Sequence, residues 1–378
     1  MGKDTMTAEE RLIATINLEP VDRVVCAPET GNYAGQYVGI TNKEFVWEFE
    51  TKGLAAIEKL ANDYPMWDCS ADINGITSGY VAERAGMGKM KLPGKELPDN
   101  ASSQVLETEV MTRDDYAIVK EKGYGEYHIN FLERANNISR EEIVKGFTEA
   151  GRIRAAELEA IRRRGQVPIY GDLGGLVPFD AFSLTRSIEK YFKDMFQIAG
   201  QLEELMAILV DAFVEGSERT VAATGVNRVF VGGSRSAGQF ISQKYFDRLV
   251  WPYFKEFVER LVAKNIVPIL HFDCDWTKNL EYFLELPKGK FVLELDGATD
   301  IFRAKEVLSG HCAIHGDVPA AYLTIASPSE LDEYCKKLIT TVGKGGGFLY
   351  ACGCCMPINA KHENVKVFFE AVEKYGYY

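Results

Sequence analysis

Apolar positions along this chain follow two alternating rhythms. One is the three-to-four-residue spacing of an amphipathic helix, and the other is a short continuous apolar run bounded by glycine, proline or polar residues. Helix starts are marked chemically. Thr7-Ala-Glu-Glu10 and Ser139-Arg-Glu-Glu142 are capping boxes, in which hydroxyl and carboxylate satisfy the orphan backbone donors of a first turn. The first opens a helix to about Asn17, closed by Pro20; the second opens a long helix to about Arg164. Residues 43–63 also read as helix, whereas 64–135 give no clear assignment. From there the pattern is regular. Strands are predicted at 23–27, 167–171, 228–233, 267–272, 291–295, 312–316 and 347–351. Helices are predicted around 182–198, 201–223, 243–264, 276–285, 300–308, 328–342 and 363–375.

Short apolar strands alternating with helices are parallel βα units. Roughly eight of them over 378 residues predict an α/β fold, a closed (β/α)₈ TIM barrel with N-terminal helical decoration, as one domain over 1–378 in which 1–140 carries the extension and insertions. An open doubly wound sheet is the alternative, weakened because no glycine-rich fingerprint follows the first strand. Gly343-Lys-Gly-Gly-Gly347 precedes a strand instead of following one, so it reads as a turn and not a phosphate cradle.

Composition narrows the function. Asp and Glu number 55 against 43 Lys and Arg, a net charge of −12, which argues against nucleic acid or an anionic membrane as partner. The start Met1-Gly2-Lys3-Asp4-Thr5-Met6 has no apolar core of a signal peptide, and no run reaches the ~18 residues of a membrane span, so a cytoplasmic protein with reduced thiols is expected. Six of the eight cysteines lie beyond residue 270, and Cys352, Cys354 and Cys355 fall within four positions.

In a barrel, chemistry sits where strands end. The polar residues closing the predicted strands are Tyr170 and Asp172; Ser234, Arg235 and Ser236; His271, Asp273, Cys274 and Asp275; Glu294 and Asp296; His315 and Asp317; and the three cysteines. Side chains two apart on a strand share a face, so His271 pairs with Asp273 and Cys352 with Cys354. Two ligands from one strand end and one from another describe a three-ligand zinc site. The competing reading of the same residues is a reduced core cysteine cluster beside a satisfied histidine.

Several segments resemble the uroporphyrinogen decarboxylase superfamily. Glu19-Pro-Val-Asp22-Arg23 is similar to its opening "kPDRvPv" phrase, and Ile241-Ser-Gln-Lys-Tyr-Phe246 with Trp251-Pro-Tyr-Phe254 to its "iSp..F..f..Py.k" helix. His315-Gly316-Asp317-Val318 is similar to its "GN(v/i)" turn. Gly353-Cys354-Cys355 through Pro357 to Glu363-Asn364-Val365 is similar to its closing "GC…P…EN" motif. His271-Phe-Asp273 stands where the corrinoid-dependent methyltransferase branch carries His-x-Cys. The decarboxylases carry an arginine-rich phrase that grips acidic side chains; the matching stretch here, Glu29 to Gly35, has no arginine.

The resemblance therefore implies a zinc-dependent methyltransferase moving a methyl group from a small methylated substrate, such as an aromatic methyl ether, to the cob(I)alamin of a corrinoid protein that supplies its own cofactor. It implies His271, Asp273 and Cys354 as zinc ligands, with Glu294, Cys274 or Cys352 completing or replacing one. His315 and Asp317 would orient substrate or protonate the leaving oxygen, with Asp172 a further catalytic candidate. Tyr170, Asp68, Arg235 and Trp276 are candidate substrate contacts. Asp273 in place of cysteine makes the site harder, better suited to polarising oxygen than to activating a thiol. The alternatives are a methylcobamide:thiol methyltransferase, a metal-free lyase using Asp68 or Asp172, and a non-catalytic corrinoid or tetrapyrrole binder. A homodimer is compatible with every one of them.

Overall fold

The computed structural model describes residues 4–378; Met1–Lys3 of the amino-terminal reading lie outside the described residues. The chain order is β1 (Val25–Cys26), β2 (Cys69–Ser70), the antiparallel hairpin β3 (Lys89–Lys91) and β4 (Gln104–Leu106), then β5 (Val167–Pro168), β6 (Leu173–Leu176), β7 (Arg228–Gly233), β8 (Val267–Phe272), β9 (Val292–Leu295), β10 (Ala313–Val318) and β11 (Phe348–Cys352). Seven strands form one parallel sheet in the order β1-β11-β10-β9-β8-β7-β6, and β2 pairs with β5. Main-chain bonds complete the ring. Asp68 N donates to Cys26 O at 3.0 Å, Ala71 N donates to Pro28 O at 3.4 Å, and β5 runs on into β6 after an irregular break. The result is the (β/α)₈ barrel, with the long helices Arg140–Arg163, Ala199–Thr224, Trp251–Ala263, Pro328–Val342 and His362–Tyr375 outside it.

Within 1–140, helix Ala8–Ile16 is the one helix before the first barrel strand among the described residues, and the helices between Tyr33 and Asn136 are inserted after β1 and β2. β2 was invisible in the sequence because Cys69-Ser70 is too short and polar to show a rhythm. The expected helix over 243–264 is interrupted by a wide turn at Phe246–Val250, just ahead of Pro252 in the first turn of Trp251–Ala263. Among the described residues no helix is long and apolar enough to cross a membrane.

The barrel interior is filled by one apolar layer, to which β1, β2, β5, β8, β9, β10 and β11 contribute Val25, Cys69, Val167, Ile269, Val292, Ala313 and Leu349. Leu12 and Ile16 of the first helix pack onto it from the strands' N-terminal end, so that helix is a plug. Burying an aliphatic side chain of this kind stabilises by about 1.5–3 kcal/mol.

That plug is fixed by charge. Arg11 on the helix donates to Asp22 at 2.6 Å and to Asp68 at 2.7 Å; Arg23 donates to the other Asp68 oxygen at 2.6 Å and to Asp4 at 2.9 Å. Asp68 also accepts from Cys26 N at 2.9 Å. The expectation that Asp68 touches substrate is thus corrected. It lies at the N-terminal end of β2, is 5% exposed, and has its oxygens taken by two buried guanidiniums and a backbone N–H. Removing one partner of a buried pair strands the others, at about 3–5 kcal/mol. Asp68→Ala should therefore lower unfolding stability by that order in a urea titration while leaving metal binding of the folded fraction unchanged.

Candidate metal centre

The candidate centre grows out of strand register. Leu270 pairs with Leu293, His271 with Glu294, and His315 with Glu294, so β8, β9 and β10 present His271, Glu294 and His315 side by side. All three are at most 5% exposed. Glu294 Oε1 lies 3.3 Å from His271 Nδ1 and 3.2 Å from His315 Nδ1, while His315 Nε2 meets Ala27 O at 2.8 Å. Burial alone would raise the Glu294 carboxyl; the imidazoles of His315 and His271 outweigh it and hold the group well below its ordinary value. Conversely, burial pulls His271 down, but Glu294, then Asp273 and Cys354, carry it well above the usual histidine value.

With Nδ1 turned to Glu294, His271 aims Nε2 at the barrel mouth, 2.9 Å from Asp273 Oδ1. Cys354 arrives from the turn after β11. Its φ of +139° is a backbone conformation rarely adopted by a residue with a side chain. The preceding Gly353 is needed because a Cβ there would meet Asp296 O at 2.4 Å. This packing delivers the Cys354 thiol to the histidine, and the Cys355 thiol, together with His271, lowers its pKa. Donor atoms of His271, Asp273 and Cys354 all lie within 4.8 Å of one another. One nitrogen, one oxygen and one sulfur, with a carboxylate behind the histidine, fit zinc. Glu294 Oε2, His271 Nδ1 and His315 Nδ1 are all buried without a hydrogen-bond partner of good geometry, so this cluster is held by charge and packing.

Glu294 does not complete the ligand set as expected: it lies on the Nδ1 side of His271, behind the donors. Nor do Cys274 or Cys352. Neither falls within the donor group of His271, Asp273 and Cys354 among the described residues, and the Cys352 thiol is pinned on Cys354 O at 2.8 Å. His315 is brought into the ladder, but its two nitrogens face Glu294 Oε1 and Ala27 O and it is not among the grouped donors. Asp317 turns to the helical side, where Tyr334 OH donates to it at 3.0 Å. Asp172 also faces outward, into a groove of about 540 Å³ lined by Arg154, Arg219 and Thr220 of the flanking helices. Tyr170 is fully buried inside the barrel, its hydroxyl on Ala71 O and its ring against Phe230. Arg235 is at the strand ends but is held by Glu107 at 2.6 Å and Ser183 O at 2.9 Å. Trp276 is fully buried and stacked on Phe272, with centroids 4.1 Å apart, so it is core and not a substrate wall.

Two residues at the mouth escaped the sequence reading. Glu29 lies just beyond β1; its O accepts from Met356 N at 2.9 Å, and Cys355 Sγ donates to its Oε1 at 2.6 Å. Asp72 lies just beyond β2 and accepts from Gly31 N at 2.8 Å and Thr30 Oγ1 at 3.1 Å, bracing the loop that carries Glu29. Burial, then Glu157, pushes its carboxyl up to about 6. Both obey the strand-end rule, but β1 and β2 are two residues each, too short to mark their ends.

Two expectations follow. Glu294→Gln should weaken zinc binding about 10–100-fold in chelator competition, the usual cost of losing the carboxylate behind a histidine ligand; an unchanged affinity would remove its orienting role. Asp317 concerns stability. Burial lifts its carboxyl from 3.8 to about 7, so the folded chain holds a proton that the unfolded chain has released. Its contribution is full below about pH 4 and is lost as pH rises through about 7. Asp317→Asn should therefore gain urea resistance over wild type at about pH 8 and show no gain near pH 4.

The profile of the family "Uroporphyrinogen decarboxylase (URO-D)" matches residues 7–375. Curated relatives include the uroporphyrinogen decarboxylases of Pseudoalteromonas atlantica, 24% identical over 224 residues, and Idiomarina loihiensis, 25% identical over 230. These alignments cover 56% and 58% of this chain and 60% and 62% of those enzymes, less than two thirds of their length. Among solved structures, a methyltransferase from Methanosarcina mazei superposes with a TM-score of 0.64 over 98% of this chain and 99% of its own, at 18% identity, a likeness of fold. With the profile spanning nearly the whole barrel, the chain belongs to the uroporphyrinogen decarboxylase family.

Proposed function

We propose that this protein is a zinc-dependent methyltransferase that passes a methyl group from a small methyl donor, a methyl ether in particular, to the cob(I)alamin of a separate corrinoid protein. The observation that carries the reading is the convergence of His271, Asp273 and Cys354 donors within 4.8 Å at the barrel mouth. Bound there, zinc would supply Lewis acidity toward the ether oxygen. The chain's own residues do the rest. Glu294 orients His271, Gly353 seats Cys354, and Asp273, half exposed, contributes a hard oxygen donor at the surface a partner must reach. In the overall exchange the ether C–O bond breaks, the methyl group passes to Co(I), and the oxygen keeps the bonding pair and takes a proton. Asp296 is suited to hold that proton. Its carboxyl is raised by burial and then by Asp273, and its main chain packs against Gly353, next to Cys354.

Tetrapyrrole decarboxylation is disfavoured by charge: residues 29–35 at the mouth carry no arginine, and Arg235 is already paired. The eight free thiols and a Co(I) partner suit a cytoplasmic setting.

Anaerobic incubation with chemically reduced cobalamin and a panel of methoxy compounds tests this. The Co(I) spectrum should give way to methyl-Co(III) with wild type, about a hundredfold or more slower with His271→Ala, since Lewis-acid stabilisation amounts to several kcal/mol. Methylation of a thiol from methylcobalamin with no oxygen-bound donor accepted would replace the donor-side reading with the thiol one. Decarboxylation of a carboxylated substrate by metal-free protein would replace both.

A further inference from the structure

The Glu29 carboxylate is met by a thiol, Cys355 Sγ donating to Oε1 at 2.6 Å, and by no lysine or arginine ion pair among the described residues. Its main chain is not free to carry it away. Glu29 O is bonded to Met356 N at 2.9 Å and approached by Cys352 Sγ at 3.4 Å, and Glu29 bridges Cys355. The carboxylate is therefore aimed, and what it is aimed at is the cysteine turn: donor atoms of Glu29, Cys354 and Cys355 lie within 4.8 Å of one another. Cys354 thus belongs to two donor groups, one with His271 and Asp273 and one with Glu29 and Cys355.

We propose that Glu29 is a fourth protein donor to the centre of His271, Asp273 and Cys354, exchanging its carboxylate between the Cys355 thiol and the metal. This rests on the zinc reading above. A tetrahedral catalytic zinc has three protein ligands and one exchangeable position. A carboxylate on a loop distinct from the strands holding the other donors can fill that position at rest and yield it to substrate, with Cys355 Sγ–H receiving the released oxygen at the 2.6 Å contact seen here.

The test is zinc affinity by chelator competition, with absorption of the Co(II)-substituted protein as a second readout. Glu29→Gln should bind one zinc about tenfold or more weakly. Its Co(II) d–d bands should shift while the Cys354 thiolate-to-metal band persists, and its metal-free melting temperature should match wild type. Cys355→Ser should keep wild-type affinity, since the serine hydroxyl can still receive the carboxylate. Wild-type affinity and an unchanged Co(II) spectrum in Glu29→Gln, with one zinc bound, would overturn this inference and leave the zinc reading standing. So would a loss in Cys355→Ser as large as that in Glu29→Gln, which would make the thiol the donor. Absence of zinc binding by wild type would overturn both.

Discussion

A single buried carboxylate between two imidazoles organises the mouth of this barrel. Glu294 is 4% exposed and sits 3.3 Å and 3.2 Å from the Nδ1 atoms of His271 and His315. Away from water, such a group persists only if its neighbours neutralise it, and the raised His271 and lowered Glu294 show the pair doing so. The geometric consequence matters more than the energy. With Nδ1 facing Glu294 Oε1 at 3.3 Å, His271 turns Nε2 toward Asp273 Oδ1 at 2.9 Å. Asp273, two residues further along the same strand direction, and Cys354, swung in by a turn that only Gly353 permits, meet it there.

The two ends of the barrel use charge differently. At the N-terminal end, Arg11, Arg23, Asp22 and Asp68 satisfy one another, and the helix they anchor closes the interior. At the other end the donors of His271, Asp273 and Cys354 converge, and Cys354 also meets Glu29 and Cys355, with no lysine or arginine ion pair to any of them among the described residues. Self-satisfied charge stabilises a fold, whereas convergent donors short of a cation mark a place for a ligand. The family phrase Asp22-Arg23 belongs to the first kind and the Gly353-Cys354 phrase to the second.

Much of this was legible in the sequence. Helix caps, apolar runs and their alternation gave the parallel barrel, and the strand-end rule drew attention to His271, Asp273 and Cys354 together. What escaped has physical causes. β1 and β2 are two-residue strands held by ring closure and not by any local pattern, so Glu29 and Asp72 went unnoticed at their ends. Direction was the other gap. Asp172, Asp317 and Trp276 lie in or after strands as His271 does, yet they pack toward the helical layer. Asp68 was misplaced because it falls in the unassigned stretch 64–135, where no rhythm marks its strand; the guanidiniums of Arg11 and Arg23, far away in sequence, show which end of the barrel it serves.

The most direct test of the central claim is elemental analysis of protein purified without chelators, in wild type, His271→Ala and Cys354→Ala. The account predicts about one zinc per chain in wild type, as three converging protein ligands hold in a catalytic site, and its loss in both variants. Wild-type protein without zinc under conditions that retain it in a control zinc enzyme, or zinc retained in both variants, would contradict it.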